Sequence, residues 1–347
     1  MVQQQPALPE AYAQPEAMRV VAIGGGTGLS TLLRGLREYV TTAGPSAKPG
    51  LISDLAAVVT VTDDGGSSGR LRQGFNMLPP GDLRNCMVAL SEEEDLLARL
   101  FAHRFRGGDS LKGHNFGNLF VAALTEITGD FAHAIQLASK ILATRGRIYP
   151  VTTANATLVA HMDDGSVVRG ETNITASRRH IVELTLDPPD AAPLQETLDA
   201  IERANIITVG PGSLYTSLIT NLLVEGIPAA LAHARGLRVF ICNLMTQANE
   251  SLGLTASQHI ERIYDHTRAP IFDCALVNTA PFSPETLARY AAEGASPIVP
   301  DIERIQALGV RCIAGDFSSE ESVVRHAPSR VTEALLALGR TGTALRI

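Results

Sequence analysis

Short apolar runs alternate with segments of helical periodicity along most of the chain. The first apolar run covers residues 19–23, and residues 29–39 after it place Leu29, Leu32, Leu33 and Leu36 on one helical face. Residues 55–61 are a nearly continuous run of β-branched residues and alanine, typical of a parallel strand covered by helices on both faces. Later strands are predicted at residues 206–209, 237–242 and 274–278. The pattern predicts an α/β fold built on a mostly parallel sheet.

Two stretches interrupt this rhythm. Residues 82–143 are a predicted helical block, with helices at 83–90, 92–105, 115–128 and 131–143. Residues 151–187 are a predicted β-rich insert, because strand-like segments at 157–161 and 166–170 flank Asp164-Gly165, a pair that favours a β-hairpin, and 181–186 supplies a third strand. Further helices are predicted at 193–203, 214–224, 256–267 and 321–338. We therefore predict one α/β domain over residues 18–347 that carries a helical block and a small β-rich insert.

Composition narrows the classes of function. The 347-residue chain carries a net charge of −7, which argues against attachment to nucleic acid through a broad basic face. Four cysteines lie far apart, so buried thiols in a reducing compartment are favoured over disulfides or a zinc site. No apolar run approaches the roughly 20 residues that span a bilayer, and residues 1–17 resemble a disordered tail, not a secretory signal. We expect a cytoplasmic protein with no nucleic-acid partner and no membrane span.

Two predicted turns from strand to helix are rich in glycine. The first is Gly24-Gly25-Gly26-Thr27-Gly28, where backbone N–H groups and a helix N-terminus can approach a phosphate closely. Its spacing matches neither Gly-x-Gly-x-x-Gly nor a P-loop, and the alternative is a tight turn without a ligand. The second turn repeats the arrangement, and its candidate binding residues are Gly210, Pro211, Gly212, Ser213, Tyr215 and Thr216. Ser213 as a simple helix cap is the alternative there.

A polar loop predicted at residues 63–72 follows the second strand. Asp63 and Asp64 are adjacent carboxylates at the end of that strand, where they can bind sugar hydroxyls or a hard cation such as Mg²⁺. Small donors and two arginines that could clamp a phosphate follow, and the candidates are Gly65, Gly66, Ser67, Ser68, Arg70 and Arg72. A solvated turn with two ordinary acids is the alternative.

Three smaller clusters complete the candidate site. Asp82, Arg84 and Asn85 open a predicted helix, and for Asp82 a role as N-cap competes evenly with ligand binding. The others are His114, Asn115 and Asn118 at the start of an apolar helix, and Asn243 and Thr246 after a strand. All lie at strand ends or helix starts, where open α/β sheets bind ligands. No His-Glu-x-x-His zinc motif occurs, and no catalytic residue is assigned.

Long strings in this order resemble the YvcK/CofD-like family, and specifically its gluconeogenesis-factor branch. The matching strings are AIGGGTGLS (22–30), VTVTDDGGSSGRLR (59–72), PPGDLRN (79–85), GHNFGNL (113–119), GPGSLYTS (210–217) and CNLMTQ (242–247). The resemblance implies a Rossmann-like, doubly wound fold in a cytoplasmic bacterial protein that binds nucleotide sugars such as UDP-N-acetylglucosamine. It also implies a role in cell shape and cell-wall homeostasis during gluconeogenic growth.

Carried over by position, the resemblance implies a layout for the site. Gly24–Gly28 would hold the diphosphate, with Asp63 and Asp64 beside it, and residues 210–216 would form the opposite wall. The expected ligand is a nucleotide sugar, with Mg²⁺ as a further candidate. The expected protein partners are a second copy of the chain and cell-wall regulatory proteins.

Three functions remain open at this point. The first is a nucleotide-sugar-binding regulator without robust turnover. The second is a Mg²⁺-dependent transferase like the 2-phospho-L-lactate transferases of the sister branch. That activity is disfavoured because Gly210-Pro211-Gly212-Ser213 replaces the Gly-Pro-Ser-Asn of that branch on the acceptor side. An NAD-binding oxidoreductase is least supported, because the glycine spacing misses the dinucleotide fingerprint.

Overall fold

The computed structural model describes residues 17–42, 50–92, 96–108, 110–177, 179–247 and 250–342. The expected disordered tail at residues 1–17 lies outside these residues, apart from Ala17. In chain order the strands are β1 (Met18–Gly24), β2 (Ile52–Val59), β3 (Arg147–Pro150), β4 (Thr157–Met162), β5 (Val167–Arg169), β6 (Ile181–Asp187), β7 (Ile206–Val209), β8 (Leu237–Ile241), β9 (Cys274–Asn278), β10 (Arg311–Gly315), β11 (Ser318–Glu320) and β12 (Val324–His326).

The helices surround these strands. They are α1 (Gly26–Arg37), α2 (Gly66–Phe75), α3 (Gly81–Leu90), α4 (Leu96–Ala102), α5 (Phe116–Thr128), α6 (Phe131–Ile141), α7 (Glu171–Ala176), α8 (Gln195–Arg203), α9 (Thr220–Leu222), α10 (Ile227–His233), α11 (Ala256–Thr267), α12 (Pro284–Ala292), α13 (Ile302–Ala307) and α14 (Pro328–Gly342), with a π-helical segment, π1, at Leu214–Ile219.

A seven-stranded parallel sheet forms the centre of the fold, in the order β10-β9-β8-β7-β1-β2-β3. The chain runs outward from β1 through β2 to β3, returns to β7 beside β1, and then runs outward on the other side to β10. The strand order therefore reverses between β1 and β7, where a doubly wound sheet opens a crevice at its carboxyl edge. The predicted Rossmann-like, doubly wound fold is confirmed.

Burial on both faces of the sheet explains the apolar runs. In β1, Val20, Val21, Ala22 and Ile23 are at most 2% exposed, and helix α1 covers them with the leucine face that its periodicity predicted. Ala22 pairs with Ala57 of β2 on one side and with Thr208 of β7 on the other. A central parallel strand has no solvent face, which is why its sequence does not alternate.

The helical block and the insert also form as predicted. Helices α3 to α6 follow one another between β2 and β3. The insert is a three-stranded antiparallel sheet in the order β5-β4-β6, closed by α7. Within the described residues no single helix is long and apolar enough to cross a bilayer; only Leu214–Leu222 with Ile227–His233 passes as a pair, bent by 76°.

Two local predictions are wrong. The polar segment 63–72 is not a loop throughout, because α2 begins at Gly66. Its Gly-Ser-Ser-Gly start has weak helical propensity, so packing against the rest of the fold stabilises this helix. The predicted helix at 321–338 begins only at Pro328, since Val324–His326 is strand β12 and proline fixes the first helical turn.

Helix α1 packs unusually closely against α14. A Cβ atom at Gly35 would lie 2.4 Å from Thr332 Oγ1 and 2.5 Å from the Pro328 carbonyl oxygen. Only a residue without a side chain permits this approach of the two helices.

We expect Gly35→Ala to lower the free energy of unfolding by about 1–3 kcal/mol, because the added methyl group overpacks this contact. Gly74→Ala in α2 is the matched control, since its Cβ would meet nothing within 4 Å. There we expect a gain of about 0.5–1 kcal/mol from helix propensity. Denaturant unfolding measures both variants, and equal effects of the two would contradict the packing argument.

Candidate functional site

The candidate site lies at the switch point, where the loops after β1 and β7 face each other. They border a cleft of about 280 Å³, closed on its third side by the segment after β8 and on its fourth by Tyr290 of α12 and the β11–β12 hairpin. Of the residues predicted from the sequence, the cleft brings together Gly25, Gly26, Thr27, Gly28, Pro211, Gly212, Ser213, Asn243 and Thr246. Residues of both predicted glycine turns therefore line one cavity.

The first wall is the glycine loop at the start of α1. A Cβ at Gly25 would lie 2.7 Å from Thr60 Cγ2, and one at Gly28 would lie 2.4 Å from the Pro211 carbonyl oxygen, so packing alone excludes side chains at both positions. Gly26 differs, because its φ is +60° and its Cβ would meet nothing within 4 Å. Space that a side chain could occupy therefore opens at Gly26, beside the helix N-terminus.

Backbone donors at this N-terminus are available to an anion. The N-cap Gly25 provides no side-chain hydrogen bond. Gly26 donates its N–H to Asp82 Oδ2 at 2.7 Å, whereas the N–H groups of Thr27 and Gly28 have no partner in the first turn of an α-helix. Two aligned N–H groups and the positive end of the helix dipole are suited to a phosphate.

The second wall is the turn at residues 210–213, and side chains of the segment after β8 hold it in place. Asn243 accepts the N–H of Gly212 at 3.3 Å and donates to its carbonyl at 2.8 Å. Gln247 Nε2 donates to Ser213 Oγ at 3.0 Å, and Ser213 makes no capping bond to its own helix. The alternative of Ser213 as a simple helix cap is therefore wrong.

The N-terminus of π1 is already occupied by a carboxylate of the protein. Glu250 accepts the Tyr215 N–H at 3.3 Å and the Thr216 hydroxyl at 2.9 Å. Burial raises the pKa of Glu250, and these hydrogen bonds oppose the rise. Tyr215 and Thr216 are themselves buried and lie behind the cleft. An anion in the cleft would therefore meet free backbone donors at α1 more than at the second turn.

Asn221 joins the two walls and was not found from the sequence. It is fully buried, and its Nδ2 donates to the carbonyl of Gly24 at 3.0 Å and to that of Ser217 at 2.7 Å. Behind the same loops, the Gly210 N–H donates to the Ile23 carbonyl at 3.0 Å. Gly24 and Gly210 thus connect the strand ends and do not line the cleft.

Arg325 on the hairpin is a second residue that the sequence analysis missed. It is exposed, it lines the cleft, and its guanidinium has no acidic partner among the described residues. Burial together with the charges of Arg325 and Arg37 lowers the pKa of nearby Arg34. Adjacent His326 donates Nε2–H to the Cys242 carbonyl at 3.1 Å, and burial lowers its pKa to about 4, so it is neutral at physiological pH. Arg325 therefore provides the positive charge of this wall.

Carboxylates gather on the β2 side of the glycine loop. Asp63 Oδ1 accepts the Gly65 N–H at 2.9 Å, whereas Asp64 Oδ1 accepts the N–H and hydroxyl of Thr172 in the insert, at 2.8 Å and 2.6 Å. Although adjacent in sequence, the two acids thus serve different elements. Asp82 does not cap its own helix, whose N-cap is Pro80, but caps α1 instead. Burial raises the pKa of Asp82 to about 6.

Glu171 of the insert joins this group and was also missed. Burial raises its pKa to about 9, and the charges of Asp63, Asp82, Glu250 and Asp64 add to the effect. Glu171 is therefore protonated at neutral pH. The sequence around Glu171 carries no motif that predicts a role in the site. Only the tertiary fold brings the insert close to the acids at the end of β2.

The predicted arginines do not clamp the cleft. Arg72 donates to Asn155 Oδ1 at 2.8 Å and to the Ala156 carbonyl at 2.7 Å, so it holds the insert. Exposed Arg70 donates to the Lys112 carbonyl at 3.0 Å. Arg84 donates to Asn85 Oδ1 at 2.6 Å, and burial lowers the pKa of Arg84. These four residues lie outside the cleft lining.

The remaining candidates connect helices. Ser67 Oγ lies 3.2 Å from both His114 Nδ1 and the N–H of Asn115, and Asn118 Nδ2 reaches Ser68 Oγ at 3.5 Å. These contacts join α2 to α5 behind the acids.

Thr246 lines the cleft while its backbone N–H and hydroxyl bond to Ser296 at 2.7 Å and 2.9 Å. Gly66 has φ +50° and faces open space at the start of α2.

The protonated state of Glu171 predicts how stability depends on pH. The folded protein retains a proton that the unfolded chain releases near pH 4.5, so the free energy of unfolding falls between about pH 4.5 and 9. Glu171→Gln removes this loss of stability with rising pH, because glutamine does not titrate. We expect the variant and the wild type to match near pH 4 and the variant to be the more stable at pH 8.5. Urea unfolding at several pH values measures this, and parallel profiles would contradict the protonated state of Glu171.

Comparison with known proteins identifies a family. The profile of the family described as 2-phospho-L-lactate transferase CofD matches residues 20–318. A gluconeogenesis factor of Halalkalibacterium halodurans is 46% identical over 318 residues, which cover 91% of this chain and 95% of that protein. The gluconeogenesis factor of Bacillus subtilis is 43% identical over 321 residues, 92% of this chain and 98% of that protein.

A solved structure agrees with these sequence matches. An X-ray crystal structure of a protein from Bacillus halodurans has a TM-score of 0.87 and 46% sequence identity to this chain, and covers 92% of this chain and 100% of that one. The resemblance seen in the glycine and aspartate strings is thus confirmed over nearly the whole described fold. The chain belongs to the CofD family and is a homologue of the bacterial gluconeogenesis factors.

Proposed function

We propose that this chain is a cytoplasmic gluconeogenesis factor that binds a nucleotide sugar similar to UDP-N-acetylglucosamine. The observation that carries the proposal is the open space at Gly26, beside the free first-turn N–H groups of α1 and in the same cleft as Arg325. A diphosphate accepts hydrogen bonds from such donors and pairs with a guanidinium. The relatives named gluconeogenesis factor support the assignment of the biological role.

The charge of the protein and the size of the cleft favour a small ligand over a polymer. The protein has a net charge of −7, and the cleft has a volume of about 280 Å³. A role in cell shape and cell-wall homeostasis under gluconeogenic growth fits a sensor that reports the supply of a wall precursor. Such a sensor requires binding but no turnover.

A transferase acting with Mg²⁺ is the second candidate, favoured by the carboxylates beside the phosphate site and by the description of the family. Among the described residues no group of three or more His, Cys, Asp or Glu is arranged to hold a metal ion. This donor set does fit Mg²⁺ as it is usually bound, through one or two carboxylates and the phosphates of the ligand. Asp63 would hold it, whereas Asp64, the other predicted ligand, bonds to Thr172; the ion would neutralise charge on the diphosphate. Metal-dependent release of a nucleoside monophosphate would favour this candidate.

We expect Gly26→Ala to weaken binding of UDP-N-acetylglucosamine roughly tenfold or more, because its methyl group enters the space assigned to the phosphate. Gly129→Ala is the matched control: Gly129 has φ +68° and open space, but it ends α5 away from the cleft. Both variants should lose about 1–2 kcal/mol of stability from the left-handed backbone. Calorimetric titration distinguishes the binding affinities of the two variants. Equal affinities would show that the phosphate does not bind at the start of α1.

Arg325→Ala tests the charged wall. We expect roughly 10- to 100-fold weaker binding of UDP-N-acetylglucosamine and a smaller dependence on salt, because a charge-assisted contact to phosphate is lost. Arg304→Ala is the control, since exposed Arg304 pairs with Glu261 at 3.6 Å outside the cleft. Titrations at low and high salt measure both variants. An Arg325 variant that binds like the control would disprove the role of this wall.

A further inference from the structure

A second cavity adjoins the cleft beyond the carboxyl ends of β8 and β9. It has a volume of about 250 Å³ and shares Asn243 and Leu244 with the cleft. Asn243 donates to the Gly212 carbonyl at 2.8 Å, so its side chain both contacts the second glycine turn and lines this cavity. A ligand whose phosphates lie at the glycine turns can therefore extend one arm into it.

The lining of this cavity is mainly apolar. It includes Pro281, Phe282, Leu287, Pro297 and Ile298. Leu287 is 38% exposed although it is a large apolar residue, and Phe282 packs with Leu244, Met245 and Val324 in a small cluster apart from the main core. A flat, apolar ring would cover this surface and remove it from water.

The two amide side chains at the edge of the cavity already bond to the protein. Asn278 donates to the Ala280 carbonyl at 3.0 Å and accepts the Phe317 N–H at 2.9 Å, and both amide groups of Asn243 bond to Gly212. A sugar placed here would lose hydrogen bonds to water and regain few of them, because most of the lining is apolar. A nucleobase loses less, because its faces are apolar.

The other side of the glycine loop has the opposite chemistry. Asp63, Asp82 and Glu171 interact there electrostatically, and Thr172 of the insert is held by Asp64. Carboxyl and hydroxyl groups exchange hydrogen bonds with sugar hydroxyls, whereas carboxylates repel a second phosphate.

We infer that the ligand lies across the switch point in one orientation, with its nucleobase in the cavity beside Leu287 and Phe282 and its sugar against the acids on the β2 side. This inference rests on the proposed nucleotide-sugar function and assigns the two arms of that ligand. The orientation is opposite to that of a dinucleotide fold, in which the acid after β2 binds the ribose of the nucleoside.

Calorimetric titration of the full chain with UDP and with UDP-N-acetylglucosamine tests the orientation. Leu287→Ala should weaken both ligands by the same factor, roughly tenfold, because both carry the base. Glu171→Ala should weaken UDP-N-acetylglucosamine roughly fivefold or more and leave UDP unchanged, because only the former carries the sugar. Leu100→Ala is the control for loss of an exposed helical leucine, at 41% exposure and outside both cavities, and should bind like the wild type.

The outcomes separate the two proposals. If Leu287→Ala weakens only UDP-N-acetylglucosamine, or leaves both ligands unchanged, the orientation is wrong while the nucleotide-sugar function stands. If Glu171→Ala weakens UDP as strongly as the sugar nucleotide, the nucleoside lies on the acid side and the orientation is again wrong. If the wild type binds neither ligand at millimolar concentration, the proposed function fails and the orientation fails with it.

Discussion

The contact between the loops after β1 and β7 is the constraint on which the rest of the site depends. Gly28 allows α1 to approach the Pro211 carbonyl, where any Cβ would lie 2.4 Å away. Asn221, buried behind this contact, joins the Gly24 carbonyl to π1. Because the two strands are neighbours at the reversal of strand order, fixing their loops fixes the cleft between them.

Carboxylates at helix starts explain how the fold tolerates so many acids in one place. Asp82 caps α1, Asp63 bonds the N-cap of α2, Asp64 bonds α7, and Glu250 bonds π1. Each negative charge therefore meets backbone N–H groups at the positive end of a helix. Glu171 has no such bond among those described, and it responds by retaining its proton. The acids are thus structural elements of the fold that also define one side of the site.

The two sides of the cleft consequently differ in character. On the β2 side are acids and hydroxyls, and on the β8 side are a guanidinium, an apolar cavity and amides that bond to the protein. A ligand with a diphosphate between two chemically different arms matches this division. A symmetric ligand would leave one of the two surfaces without a partner.

The sequence by itself determined the α/β class, the strands β1, β2, β7, β8 and β9, and the two glycine turns, because apolar runs and glycine strings are local signals. It could not reveal Arg325, Asn221 or Glu171, whose neighbours in sequence carry no motif and whose role comes from contacts with distant elements. It also could not show that Arg72 holds the insert or that Asp82 caps α1 in place of its own helix. Only the tertiary structure decided these points, since hydrogen bonds between distant segments depend on how the sheet and its loops are arranged in space.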